Sequence, residues 1–284
     1  MKYVDLHVHS NASDGTMSPS QVVAYAASKN LSAMALTDHD TVEGVQEALT
    51  AAASLPVEVI PGMELSALYH EKEIHILGLF ADYKNPQLLK QLENLRAVRS
   101  RRNSVILERL AADGICITAE ELQASNPDTV ITRAHFARVL VERGIVSNMA
   151  QAFKKYLQTG GKYCPKKETF SPELALKLLK ECRAFPALAH PLQYKFGTEE
   201  LNGLVAHLKE LGLAGLEVYH SSNNQYESMK LKEMAVKYQL LPTGGSDFHG
   251  KNKPDIDLGT GRGGLHVSSL LLEDIRNKHS KMYS

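Results

Sequence analysis

Short apolar runs, each closed by a polar residue and followed by a stretch of helical periodicity, set the rhythm of the first eighty residues. Tyr3-Val4-Asp5-Leu6-His7-Val8-His9 predicts a strand. Ser18-Pro19-Ser20-Gln21 then opens a helix: Ser18 caps, Pro19 suits the first helical position and Gln21 completes a capping box. Ala33-Met34-Ala35-Leu36-Thr37 is a second apolar strand that stops at Asp38-His39-Asp40-Thr41, and a second helix runs to about Ser54. Residues 57 to 64 repeat the plan, and residues 73 to 79 give a fourth strand. Continuous Val, Ile, Leu and Ala strands alternating with helices predict an α/β fold with a mostly parallel sheet covered on its outer side, in the manner of a barrel.

From about Lys84 to Phe170 the pattern changes to helices without intervening strands. Residues 86 to 113 read as one long helix or two in succession, Thr118-Ala119-Glu120-Glu121 opens another, and Thr132 caps a helix that ends at Gly144. This predicts an inserted helical subdomain over 84–167 within a barrel built from 1–83 and 168–284. Alternation resumes with a helix start at Ser171-Pro172-Glu173 and strands near 185–191, 215–219 and 241–249, and the tail adds one strand and a helix.

The totals narrow the field. Acidic and basic residues balance at 32 each over 284 residues, so no global field draws the chain to duplex DNA or to a membrane. The amino terminus enters a strand directly, and no run approaches the roughly 20 apolar residues of a membrane span. The expectation is a soluble, cytoplasmic protein. Cys116, Cys164 and Cys182 share no paired spacing, which argues against a disulfide framework and against a thiolate zinc site. The local charge is uneven: between 84 and 170 there are fifteen Lys and Arg, Lys167 among them, against eight Asp and Glu.

Histidine carries the chemistry. Alternation along a strand puts His7 and His9 on one face about 7 Å apart, where two imidazoles can grip one ion. A lone His-x-His is a weak sign, but its company strengthens it. Polar residues at the ends of the predicted strands are His7, His9, Asp14, His39, Glu64, His75, His190, Asp247 and His249. In a barrel those ends converge on one face. Nine imidazole and carboxylate donors without a thiolate favour manganese, zinc, iron or magnesium, and a single carboxylate such as Glu64 can bridge two ions.

His7-x-His9, Asp14-Gly15, Thr37-Asp38-His39-Asp40, Gly62-Met63-Glu64, Ile74-His75, Ala189-His190-Pro191 and Ser246-Asp247-Phe248-His249, in that order, resemble the polymerase and histidinol phosphatase (PHP) family of metal-dependent phosphoesterases. The resemblance covers almost the whole chain and implies a distorted (β/α)7 barrel holding two or three divalent ions, Mn2+ foremost, with Zn2+, Fe2+ or Mg2+ as alternatives. It assigns one ion to His7, His9, Glu64 and Asp247, a second to Glu64, His75 and His190, and a third to Asp14, His39 and His249. Some branches carry histidine where this chain has Asp14, so the third position is the least fixed.

Within the family, the insertion and the segment Ile131-Thr132-Arg133-Ala134-His135-Phe136-Ala137-Arg138 are similar to the branch that removes the 3′-phosphate from nucleoside 3′,5′-bisphosphates such as 3′-phosphoadenosine 5′-phosphate. That implies a small-molecule nucleotide substrate, with short RNA as a further partner. The attacking group would be a metal-bound hydroxide placed by Glu64, Asp247 and His249. The proton donor stays open between His249, His190 and metal-bound water. Arg99, Ser100, Arg101, Arg102, Arg133 and His135 are the candidate substrate contacts, because guanidinium forks match phosphate geometry and the first turn of a helix favours anions. Three rivals remain: a 5′ to 3′ exoribonuclease on short RNA with the same site, a histidinol-phosphate-type phosphatase, and, from a different class, a non-catalytic metal-stabilised binding module.

Overall fold

The structure is a computed structural model describing residues 2–123, 126–166 and 168–284. Lys167, counted above in the basic excess and marking the end of the expected insertion, lies outside the described residues. An eight-stranded sheet in the order β7-β6-β5-β4-β3-β2-β1-β8 curls toward closure. Its strands are β1 (Tyr3–Val8), β2 (Ala33–Leu36), β3 (Glu58–Tyr69), β4 (Lys72–Leu79), β5 (Phe185–Leu188), β6 (Gly215–His220), β7 (Leu241–Gly245) and β8 (Val267–Ser268). The first seven make the barrel wall. The two-residue β8 pairs antiparallel with the start of β1.

Closure happens where the chain after β7 meets the end of β1. The Asp247 N–H donates to the His7 carbonyl at 2.9 Å and the His9 N–H to that of Phe248 at 3.0 Å. Gly245 makes the approach feasible, since a Cβ there would lie 2.4 Å from the His7 nitrogen. The sequence pattern predicts a mostly parallel sheet, and β4 departs from it: it is antiparallel to both β3 and β5. The cause is local. His70 and Glu71 both take positive φ, 45° and 64°, making a tight two-residue hairpin of the kind whose twist suits antiparallel neighbours. Register then sets Ser66 opposite His75, so His75 reaches the barrel mouth from the first half of its strand and not from a carboxyl end.

Helices α1 (Pro19–Ser28), α2 (Val45–Ala52), α7 (Pro172–Glu181), α8 (Thr198–Glu210), α9 (Gln225–Lys237) and α10 (Ser269–Met282) cover the barrel. The capping box foreseen at Ser18 is present, with Gln21 returning the bond. The intervening segment carries α3 (Pro86–Ala112), α4 (Ala119–Gln123), α5 (Arg133–Glu142) and α6 (Met149–Lys155). Helix α3 is single and unbroken, and α6 has no counterpart in the sequence reading.

The core divides accordingly. Leu88, Leu92 and Leu95 on the first half of α3 pack with the barrel's outer layer, while Ile106 and Leu110 on its second half join Phe136, Leu140 and Leu157 in a separate apolar cluster. One helix therefore carries both cores and fixes the height at which the helical cap sits over the barrel. Among the described residues no helix is long and apolar enough to cross a membrane.

Candidate metal centre

Nine side chains drawn from seven places in the sequence meet at the barrel mouth, and Glu64 is at their middle. Its Oε1 lies 2.9 Å from His75 Nδ1 and 2.9 Å from His190 Nε2. Its Oε2 lies 2.9 Å from His39 Nδ1 and 3.3 Å from the Nε2 atoms of both His7 and His9. Asp247 Oδ1 closes the near side at 3.6 Å from His7 Nε2 and 3.4 Å from His9 Nε2. On the far side Asp14 Oδ1 stands 3.2 Å from His249 Nε2, 3.8 Å from His39 Nε2 and 4.0 Å from His9 Nδ1. The structure thus brings all nine residues of the sequence reading into one cage. Four sets within it place one donor atom each within 4.8 Å of the others: His7 with His9 and Asp247, His7 with Glu64 and His190, His39 with Glu64 and His75, and His9 with Asp14, His39 and His249.

Three of the ten described non-glycine residues with positive φ lie at the cage. Asp40, His190 and Asp247 have φ of 51°, 23° and 58°, in the left-handed region that side chains other than glycine avoid, at a cost of order 1–3 kcal/mol each. Each is held by its own N–H: Asp40 to the Glu64 carbonyl at 3.0 Å, Asp247 to the His7 carbonyl at 2.9 Å, and His190 to Glu217 Oε2 at 2.6 Å. Outer carboxylates brace the frame. Asp38 accepts from the Ser10 N–H and from the hydroxyls of Ser10 and Ser13, and Asp5 accepts from the N–H and hydroxyl of Ser246 and from the Gly259 N–H.

The electrostatics ask for cations. Burial alone would raise the carboxyl of Glu64, but His39, His75 and His7 hold it well below the usual range. Asp247 behaves likewise, lowered against its burial by Lys253, whose Nζ lies 2.5 Å from Oδ2, and by His249. Burial would in turn lower His9 and His75; the facing carboxylates, Asp247 and Glu64 for His9 and Glu64 and Glu73 for His75, outweigh it and raise both to about 9. His249 goes the other way, down to about 4, through burial, Lys253 and His9.

A fit to divalent ions can be tested on unpaired atoms. Among the described residues, the buried side-chain atoms without a hydrogen-bond partner are His7 Nε2, both ring nitrogens of His9, Glu64 Oε2, His190 Nδ1, Arg99 Nε and Thr243 Oγ1. Five of the seven belong to the cage. Buried polar atoms are almost always paired, and four of these, on His7, His9 and Glu64, face one another or the cage carboxylates, where a cation satisfies them once the ring protons leave. All the donors are nitrogen or oxygen, matching borderline and hard divalent ions.

The open side of the cage is a cavity of about 150 Å³ rimmed by Asp14, His39 and His75 below and by Arg99, Arg102, Thr132 and Arg133 of the helical cap above. Arg99 is buried and bonds Asp40 and Ser66. Arg102 leans on Asn103 Oδ1 at 2.8 Å. Arg133 Nη2 meets Glu73 Oε2 at 2.9 Å, and Glu73 Oε1 meets His75 Nε2 at 2.9 Å.

Two groupings made from sequence need correction. Ser100 and Arg101 are exposed and do not line the cavity, because on α3 the i, i+3 pair Arg99 and Arg102 takes the inner face and leaves their neighbours outside. His135 is buried beneath Asp14, with Nδ1 accepting the Thr132 N–H at 3.0 Å as the return half of a capping box, so it braces the helix start and does not line that cavity. Arg138 and Arg143 pair with Glu142 and Glu121 at the surface, and Lys162 pairs with Asp113. His70, His207, His266 and His279 lie away from the cage, in contact with Tyr69, Glu173, Tyr3 and the Arg183 carbonyl.

Sequence reasoning missed three residues. Glu217, wholly buried, contacts His7 Nδ1 at 2.9 Å; its signal was a carboxylate inside the apolar run Leu216-Glu217-Val218. Lys253 follows Lys251 in the loop after β7, where nothing in the local pattern marks it. His220, the last residue of β6, is buried with Nε2 3.5 Å from Asp247 Oδ2.

Comparison with known proteins places this geometry. A sequence profile of the PHP domain matches residues 5–163. The chain is 35% identical over 248 residues to a 5′-3′ exoribonuclease of Haemophilus influenzae, covering 87% of this chain and 90% of that protein. It is 33% identical over 261 residues to a 3′,5′-nucleoside bisphosphate phosphatase of Chromobacterium violaceum, covering 91% of each. Among solved structures, an amidohydrolase from Chromobacterium violaceum with bound sulfate and no metal superposes with a TM-score of 0.86 at 30% identity, over 97% of this chain and 96% of that one.

Proposed function

The chain belongs to the PHP family of metal-dependent phosphoesterases, and from that premise we propose that it removes the 3′-phosphate from nucleoside 3′,5′-bisphosphates. The observation carrying this reading is the position of three arginines: Arg99, Arg102 and Arg133 crowd the rim of a small cavity whose floor is the cage. Arg99 and Arg133 already meet Asp40 and Glu73, whereas Arg102 meets the neutral amide of Asn103, so a monoester with one phosphate at the cage brings no anion to Arg102. A substrate with a second phosphate satisfies both ends.

The division of labour follows from the side chains. Glu64, Asp247, Asp14 and the six imidazoles hold two or three divalent ions, with Mn2+ foremost and Zn2+, Fe2+ or Mg2+ as alternatives. Such ions supply acidified water and charge to offset the phosphoryl oxygens. His39 and His75, the two partly exposed members of the cage, flank the entry. Arg133 and Arg102 grip and orient the second phosphate, which places the scissile ester over the cage; positioning of this kind is a large share of catalysis in phosphoryl transfer. Thr132 Oγ1 donates to Asp14 Oδ2 at 3.2 Å and so ties the cap to the cage floor. Lys253 fixes the outer oxygen of Asp247 and keeps the inner one turned to His7 and His9.

A second reading, stepwise 5′ to 3′ removal of nucleotides from short RNA by the same cage, is favoured by a cleft of about 800 Å³ between cap and barrel. It is lined by His135, Arg138, Lys251 and Lys253 together with Glu142 and Asp255 among others, a mixed surface with a small excess of positive groups. The deciding experiment is product release from a panel of 3′,5′-bisphosphates, mononucleotides, histidinol phosphate and 5′-phosphorylated trinucleotides, with Mn2+, Zn2+ or Mg2+ returned to stripped protein. The proposal expects inorganic phosphate from the bisphosphate at the highest kcat/KM. Mononucleotides cleaved equally well, or release of nucleotides from RNA with no action on the bisphosphate, would overturn it.

A further inference from the structure

Glu217, a wholly buried carboxylate in the middle of β6, touches two arms of the cage without facing its interior. One oxygen lies 2.9 Å from His7 Nδ1, and the other accepts the backbone N–H of His190 at 2.6 Å. We propose that Glu217 is a positioning residue: it fixes the tautomer of His7 and the turn at His190 together, so that both imidazoles present a lone pair to a cation. The proposal rests on the cage being a metal centre and adds a residue outside its nine donors.

An ionised carboxylate can only accept, so the proton of a neutral His7 ring is on Nδ1. The lone pair is then on Nε2, which has no hydrogen-bond partner and stands 3.3 Å from Glu64 Oε2 and 3.6 Å from Asp247 Oδ1. At His190 the problem is the backbone. Its φ and ψ are 23° and 57°, and the next residue is Pro191, which disfavours compact conformations before it. The bond to Glu217 offsets that strain and leaves His190 Nε2 2.9 Å from Glu64 Oε1.

Glu217→Gln keeps the shape and breaks this logic. Its amide has one acceptor oxygen for two N–H donors. With that oxygen on the His190 N–H, the amide N–H turns to His7, moves the ring proton to Nε2 and aims it into the cage. With the oxygen on His7, two N–H groups confront each other at His190. Glu217→Asp keeps the charge but is one methylene short and cannot span both partners.

The test is titration of stripped wild-type, E217Q and E217D protein with Zn2+ and with Mn2+, read as dissociation constants against a competing chelator. Both variants should bind about 10- to 100-fold more weakly than wild type, the usual effect of losing an outer-shell partner. Wild-type affinity in E217Q overturns the proposal, and wild-type affinity in E217D does so too, since charge alone would then suffice. Should either variant fail to fold, the zinc-loaded wild type decides by long-range nitrogen–proton correlation of its histidines. His7 protonated on Nδ1 and ligated through Nε2 supports the assignment; the reverse tautomer overturns it. Wild-type protein that binds no zinc would instead remove the metal-centre reading itself, so the two failures are distinguishable.

Discussion

Glu64→Gln is the most informative single change, because it preserves volume and removes only the charge at the middle of the cage. Glu64 Oε1 serves His75 and His190 at 2.9 Å each, and Oε2 serves His39 at 2.9 Å and His7 and His9 at 3.3 Å. A charge-assisted contact in a dry site is worth about 1.5–3 kcal/mol. Losing the anionic donor on either side therefore weakens the cation held there by about 1.5–3 kcal/mol, or roughly 10- to 100-fold at about 1.4 kcal/mol per tenfold. The wild-type melting temperature should rise by about 5 °C when an ion is supplied at roughly 100 times its dissociation constant, since that is about 2.7 kcal/mol of linkage. E64Q should show about half of this rise or less at the same metal concentration. The assay is a paired one: thermal melts and metal content by elemental analysis after dialysis against micromolar Mn2+, then phosphate release. Full metal content with full turnover in E64Q would refute the reasoning.

Other outcomes follow from separate parts of the molecule. Arg133→Met should raise KM for a 3′,5′-bisphosphate about tenfold while leaving metal content and action on mononucleotides unchanged; an unaltered preference would remove Arg133 from the site. Phe136→Ala, at the centre of the cap's own core, should cost about 3–5 kcal/mol of cap stability, seen as earlier protease cleavage within residues 84–166 with the barrel's metal content retained. Protection equal to wild type would show that the cap does not rely on that core. Metal binding should tighten between pH 7 and 9. His9 and His75 are raised to about 9, so near neutrality each keeps a proton that an incoming ion must displace, and that competition is lost as pH rises through their value. Calorimetry in buffers of different ionisation enthalpy should register the released protons, and pH-independent affinity over this range would contradict it.

How much of this was legible beforehand depends on what each residue's neighbours in sequence reveal. The cage was readable because a barrel delivers strand ends to one face, and an imidazole or carboxylate terminating an apolar run has no packing reason to be there. Arg99 and Arg102 were separable from Ser100 and Arg101 only through helical phase, which spacing suggested and which the buried face of α3 decides. The reversal of β4 was hidden, since periodicity reports which side a residue faces and not which way a strand runs; two positive φ angles at His70 and Glu71 decide that. His135 misled because its position in a first helical turn suits an anion contact equally well as a cap. Glu217 and Lys253 act through partners more than 200 and exactly six positions away, His7 and Asp247 respectively, and only the second of those separations lies within reach of local patterns.

The most direct test is the location of the ions themselves. Crystals of protein loaded with Mn2+, measured at the manganese absorption edge, should give two or three anomalous peaks within bonding distance of the nine donors, with Glu64 next to at least two. No peak in the cage of a protein that still hydrolyses phosphate esters, or peaks only at surface carboxylates, would contradict the account.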